Sequence, residues 1–338
     1  MWATPALVGI FGDAFIENTA FEGSSTLAWS YTVLNYAMQN ILGQSIISNE
    51  KCGLDKRARI ALSDSLNIMN SSVDIFKQML KMLRTPNETQ LLSFLRKFSK
   101  EINSMSKGDT RLVPVLVEKR DMLLLLERSS DRVFTMVVIQ TSPNGGLVNH
   151  SASATLSPPH IYYRTCLVLK NIPRKNAVDD VFWMALFNLA VNPHRGDMRR
   201  FYEILLPFIL GMPLESALVA SEQGAANGDE NPQATTCMAA GDWRMAQRSA
   251  TAYVQCFLEA LHYMLRSRGV SPIQSKIVSS AFVLFCFRIF GMFSNFVWVY
   301  VRTGPPRPLY GIGKYDEKRF QIRCTGRKWT SCELTGSA

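Results

Sequence analysis

The chain has 338 residues, 47% hydrophobic and 10% aromatic, enough for one large domain or two ordinary ones around a substantial core. A formal net charge of +10 would suit an acidic partner if it were gathered on one face. The basic groups are instead scattered, at Lys51 to Arg59, Arg195 to Arg200 and Arg302 to Lys328, and no run interleaves aromatics with Lys or Arg, so specific nucleic-acid binding is not expected.

The seven cysteines are odd in number and widely spaced, with no C-x-x-C pair, which argues against a disulfide framework or a zinc centre; no metal or cofactor is expected. The opening "MWATPALVGIFGDAFIE" has no basic n-region and is interrupted by Asp13 and Glu17, a poor secretory signal, so the expected compartment is cytoplasmic. In that compartment the sequons at Asn70, Asn87 and Asn149 and the Arg195-Gly196-Asp197 triplet lose weight, and Asp197 reads as a helix N-cap.

Residues 1–108 read as a helical region. "TLAWSYTVLNYAMQNIL" keeps apolar residues at helical spacing, "ARIALSDSLNIMNSSVDIFKQMLKML" does so more loosely, and "TPNETQLLSFLRKFSKEI" starts with a Thr85 cap and Pro86. From Thr110 to Leu169 the period changes, and "LVPVLV", "MLLLLER", "VFTMVVIQT" and "IYYRTCLVL" predict an antiparallel sheet with turns at "RSSD" and "SPNGG". "AVDDVFWMALFNLAV" and "DMRRFYEILLPFILG" return to helical spacing, with Asp179 and Asp180 at the start of one and Gly211 ending the other.

The stretch 221–241, rich in Gly, Ala and Asn, predicts a mobile loop. The fold class is thus α+β: N-terminal helices, a central antiparallel sheet and C-terminal helices. An α+β module covers 109–301, and a basic, Pro-containing tail covers 302–338. Within the module, 278–301 is apolar and about long enough for a single membrane span, flanked by Lys276, Arg302 and Arg307. Arg288 and Asn295 near its middle favour the other reading, a core helix broken near Gly291.

"AQRSATAYVQCFLEALHYML", 246–265, has the parts of a thiol-hydrolase helix without the thiol. A cysteine at a helix N-terminus gains thiolate character from unpaired N–H groups and the helix dipole, and a Gln a few residues upstream donates to the developing oxyanion. Gln247 precedes Ala252 by five residues, and Ser249 and Thr251 are plausible caps. Around Thr251-Ala252-Tyr253 the sequence resembles the Cys-bearing helix of papain-like cysteine peptidases, in particular deubiquitinating enzymes whose helix opens Thr-Cys-Tyr.

The hairpin "KRDMLLLLERSSDRVFTMVVIQT" resembles the strands that carry the family's catalytic His and its orienting Asn or Asp, with Arg120 at the His position and Gln140 at the Asn/Asp position. Arg120 stays protonated and is no general base. The resemblance implies a degenerate papain-like fold, with Ala252, Arg120, Gln140 and Gln247 lining a groove that lacks an intact catalytic set. The sheet precedes the helix here, so the fold would be circularly permuted.

That reading implies a catalytically inactive binding or scaffolding protein for a polypeptide, ubiquitin among them. Two alternatives stand beside it: an active thiol hydrolase in which Ala252 replaces the nucleophile, and a single-span membrane protein using 278–301. Of the histidines, His150, in "GGLVNHSAS", is the remaining candidate base, with a plain loop role as the alternative. His262 lies about 15 Å along the helix from Ala252, too far to cooperate with it. Cys256, inside an apolar helix, reads as a small core residue.

Overall fold

The computed structural model describes residues 31, 34–36, 38–39, 53–84, 88–118, 120–141, 150, 152–157, 160–191, 197–219, 237–245 and 252–291. Helix α1, Lys56–Ser71, starts at Asp55, whose Oδ1 accepts from Ala58 N at 2.7 Å. It buries Ala58, Ala61, Leu62, Ser65, Leu66 and Met69, a stripe at helical spacing. The loose periodicity of this region has a simple cause: it is two helices, broken at Ser72. The Ser72 hydroxyl donates to Ile68 O at 2.9 Å and accepts from Leu112 N at 2.9 Å, so the junction is tied to the first strand.

Helices α2, Val73–Arg84, and α3, Glu88–Ser104, follow. Thr85 and Pro86, expected to open α3, lie outside the described residues. Six strands then form one sheet: β1 Thr110–Val117, β2 Arg120–Glu127, β3 Val133–Ile139, β4 Ala152–Ser157, β5 His160–Pro173 and β6 Cys237–Met245. Every pairing is antiparallel. Val117 opposite Arg120 closes the first hairpin, and Glu118 takes a φ of 52° in its turn. The long β5 carries β3 and β4 in succession along one edge and β6 along the other.

The mobile-loop expectation for 221–241 is corrected here. Residues 237–241 belong to β6, which pairs Cys237 with Leu169 through Met245 with Tyr162. The run "CMAAG" carries no β-branched residue, yet a backbone ladder needs only N–H and C=O groups. Residues 221–236 lie outside the described residues.

Alternating residues of the strands feed two cores, as the two-residue period requires. On one face Met122, Leu124, Phe134, Met136, Val138, Leu167 and Leu169 meet α3 and α5, Asp180–Val191, and the segment that follows them. Here Phe98 packs edge-on against Trp183 and Phe187, with centroids 4.8 and 5.5 Å away. On the other face Leu123, Leu125, Val137, Ile139, Cys166 and Val168 meet α1 and α7, Ala252–Ser267. Helices from the 1–108 region thus share both cores with the sheet. A short helix, α4, Arg174–Ala177, links β5 to α5.

After α5, Asp197 caps the next helical stretch, accepting from Arg199 N at 2.9 Å. That stretch is a π-helical turn, Arg200–Leu205, running into α6, Leu206–Leu210, and ends at Gly211 with a φ of 73°. Pro207 has no N–H for an i→i−4 bond, which suits the wider turn before it. Helix α8, Pro272–Gly291, packs Val278 into the second core and hydrogen-bonds to α7 through Ser275 and His262. Of the segment 278–301 considered for a membrane span, 292–301 lies outside the described residues; among the described residues no helix is long and apolar enough to cross a membrane.

Candidate functional site

The N-terminal half of α7 lies over the place where β2 begins and β3 ends. Helix α7 buries Cys256, Phe257, Ala260, Leu261, Met264 and Leu265 against the sheet and α1. In its second turn Cys256 Sγ lies 3.6 Å from Asp121 O, 3.6 Å from Ile139 O and 3.4 Å from Thr141 Oγ1. Asp121 and Ile139 are the immediate neighbours of Arg120 and Gln140. The helix therefore sits beside the backbone of Arg120 and Gln140, while their side chains alternate to the other face of the sheet, where both lie near Tyr202. Ala252 is the first residue of α7, while Gln247 and the caps Ser249 and Thr251 lie outside the described residues.

Arg120 opens β2 and is half-buried. Gln140 follows β3 directly, is fully buried, and continues the ladder through Gln140 N to Thr165 O at 3.0 Å. Among the described residues its side chain makes no hydrogen bond to Arg120. Instead Tyr202 Oη lies 2.7 Å from Gln140 Oε1, and Gln140 Nε2, buried, meets no partner among the described residues.

His150, read from the sequence as a candidate base or a plain loop residue, is neither exposed in a loop nor open to solvent. It is buried, with Nδ1 2.8 Å from Arg164 O and Nε2 3.0 Å from Tyr202 Oη, so both ring nitrogens are engaged. The β5–β6 register shifts between Arg164 and Cys166, and a bulge interrupts the ladder where the imidazole binds. Burial lowers the His150 pKa to about 4, against a smaller upward pull from the Arg164 carbonyl. Near neutral pH the ring is uncharged.

Cys256 is a buried core residue, as its place in an apolar helix predicts. Burial pushes its thiol up to about 12, with the Thr141 hydroxyl pulling the other way and the charges of Asp121 and Glu259 adding to the rise. Burial likewise raises Tyr202, which feels the charge of Arg120 as an opposing influence. On the far side of Cys256, Thr165 Oγ1 donates to Glu259 Oε2 at 2.9 Å in the core. His262 is also buried, paired through Nδ1 with Ser275 Oγ at 2.7 Å, and joins α7 to α8.

Asp179 caps the start of α5, its Oδ1 accepting from Val181 N at 2.7 Å, and Asp180 accepts from Ser99 of α3. Among the described residues no group of His, Cys, Asp or Glu is arranged to hold a metal ion.

Residue-by-residue reading missed Tyr202, Thr165, Asp121 and Glu259. Two of them had a visible signal: Glu259 is the one carboxylate in "AYVQCFLEALHYML", and Asp121 directly precedes the apolar run "MLLLL" of β2. Tyr202 sits in an apolar helix with no mark of its own. No known protein family matches the chain, and no curated protein or solved structure matches it either.

Proposed function

We propose that the chain is a catalytically inactive, circularly permuted papain-like protein that binds or scaffolds an extended polypeptide, ubiquitin being the first candidate. One observation carries this reading: the helix that opens at Ala252 seats its second turn on the backbone of Asp121 and Ile139, beside Arg120 and Gln140. A papain-like site needs that convergence of a helix start with two strand ends. The residues at it fit binding better than catalysis, because Ala252 has no nucleophilic atom, Arg120 holds its proton, and the nearest thiol, Cys256, is buried and protonated.

The proposed compartment is the cytoplasm, in keeping with Cys166 and Cys256 as free buried thiols. The test is a titration of ubiquitin, and separately of an unfolded polypeptide, into the full chain labelled for NMR. Shifts clustered at Arg120, Gln140 and the first turns of α7 are expected. In parallel, Ala252→Cys should react with an electrophile-tipped ubiquitin faster than any native cysteine does. Silence of the chain towards both titrants, with no gain of reactivity in the variant, would overturn the proposal.

A further inference from the structure

Gln140, Tyr202 and His150 form a chain whose hydrogen atoms can be counted. His150 Nδ1 lies 2.8 Å from Arg164 O, and a carbonyl only accepts, so Nδ1 carries a hydrogen in either charge state. At the other end, Nε2 lies 3.0 Å from Tyr202 Oη, which lies 2.7 Å from the Gln140 amide. Tyr202 has a single hydroxyl hydrogen to place between them.

Two arrangements satisfy every contact. With a charged imidazole, Nε2–H donates to Tyr202 Oη, the tyrosyl hydrogen goes to Gln140 Oε1, and Gln140 Nε2 points away from the chain. With a neutral imidazole, Nε2 has no hydrogen; the tyrosyl O–H must donate to it, and Oη can then only accept, from Gln140 Nε2–H. In that state the amide is turned over and its oxygen points away. Any other combination either sets two acceptors against each other or leaves the tyrosyl hydrogen without an acceptor in the chain, which costs what an unmade buried bond costs. The oxygen and nitrogen of an amide have nearly the same shape, so hydrogen bonding decides between them.

We infer that His150, Tyr202 and Gln140 form a proton-linked relay, in which the charge of His150 sets which pole of the Gln140 amide is engaged inside it and which points away from it. The groups around the relay are Arg120 from β2 and Cys256 from α7, both acting on Tyr202, with Asp121 and Glu259 beyond them against Cys256. Neither ring nitrogen of His150 meets a carboxylate; its partners are a carbonyl and a hydroxyl. Nothing bonded to the ring therefore holds the charged form, and burial keeps the neutral form near pH 7.

Near neutral pH the relay leaves the Gln140 oxygen pointing away from it, and on acidification the nitrogen; Gln140 is fully buried, so the switch acts within the core, between the end of β3 and the π-helical turn that carries Tyr202.

The test is NMR of the full chain. Near neutral pH, long-range proton–nitrogen correlations of the His150 ring should show Nδ1 protonated and Nε2 bare. On acidification the Gln140 side-chain amide resonances should shift with the same midpoint as the His150 ring. In Tyr202→Phe the ring should still titrate while Gln140 stops responding. The opposite tautomer near neutral pH, or a Gln140 amide blind to His150 protonation, overturns the relay. The wild-type measurements decide even if Tyr202→Phe fails to fold. Because no titrant is added, this failure is distinct from a failure to bind polypeptide.

Discussion

Thr165 Oγ1 donates to Glu259 Oε2 at 2.9 Å, pinning the central strand β5 to α7 where both side chains are buried. Removing a partner from a buried carboxylate costs more than the net value of an ordinary hydrogen bond, because the group left behind has lost its water as well. Thr165→Val keeps the shape and deletes the donor, and is expected to lower stability by about 1–3 kcal/mol. Urea unfolding should show a lower midpoint with an unchanged slope, and Thr165→Ser should recover most of the loss.

Ser72 makes a similar bridge between the α1–α2 junction and β1. Ser72→Ala leaves Leu112 N, a buried donor, without its acceptor at 2.9 Å. A loss of roughly 1–3 kcal/mol is expected. The hydroxyl carries this effect, so Ser72→Thr should be milder if the extra methyl is accommodated. Thermal unfolding followed by circular dichroism compares the two.

Stability should fall with acid through His150. Its folded pKa of about 4 lies below the ordinary 6.5, so the unfolded chain takes up the proton first. The stabilisation of the neutral ring is therefore complete above about pH 6.5 and is lost progressively down to about pH 4, on the order of 3 kcal/mol in all. Glu127, raised by burial, acts with the opposite sign within the same acid range, gaining stability as it takes up its proton, so the check is a difference. Urea midpoints of the wild type and His150→Asn should converge on acidification; parallel curves would refute the assignment.

Cys256 should be silent towards alkylation in the folded state. Its thiol is buried and pushed up to about 12, so neither access nor thiolate is available near pH 8. Iodoacetamide followed by peptide mass mapping should leave Cys256 unmodified without denaturant and modify it fully with denaturant. Rapid labelling of the folded chain would mean that α7 lifts from the sheet.

Much of the fold could be read from the residues because burial leaves a pattern in them. Strands β1, β2 and β3 and the latter part of β5 are buried on both faces and read as apolar runs; the stripe Cys256, Phe257, Ala260, Leu261, Leu265 on α7 follows from helical spacing. Strand β6 left no such pattern, because β5 holds it through backbone groups that every residue type carries. The break at Ser72 was hidden for a related reason: a serine that turns the chain by bonding Leu112, forty residues on, looks like any polar residue on a helix.

The candidate site divides in the same way. The resemblance to papain-like enzymes singled out Arg120 and Gln140, and apolar spacing at helical period predicted the helix that opens at Ala252; the caps expected for it lie outside the described residues. Only the tertiary structure decided that Gln140 bonds to Tyr202 and through it to His150, and that Glu259 faces Thr165. Those partners are separated by 52 to 94 residues in the chain. Hydrogen bonds over such separations depend on how the sheet and its helices pack, and local sequence carries no record of them.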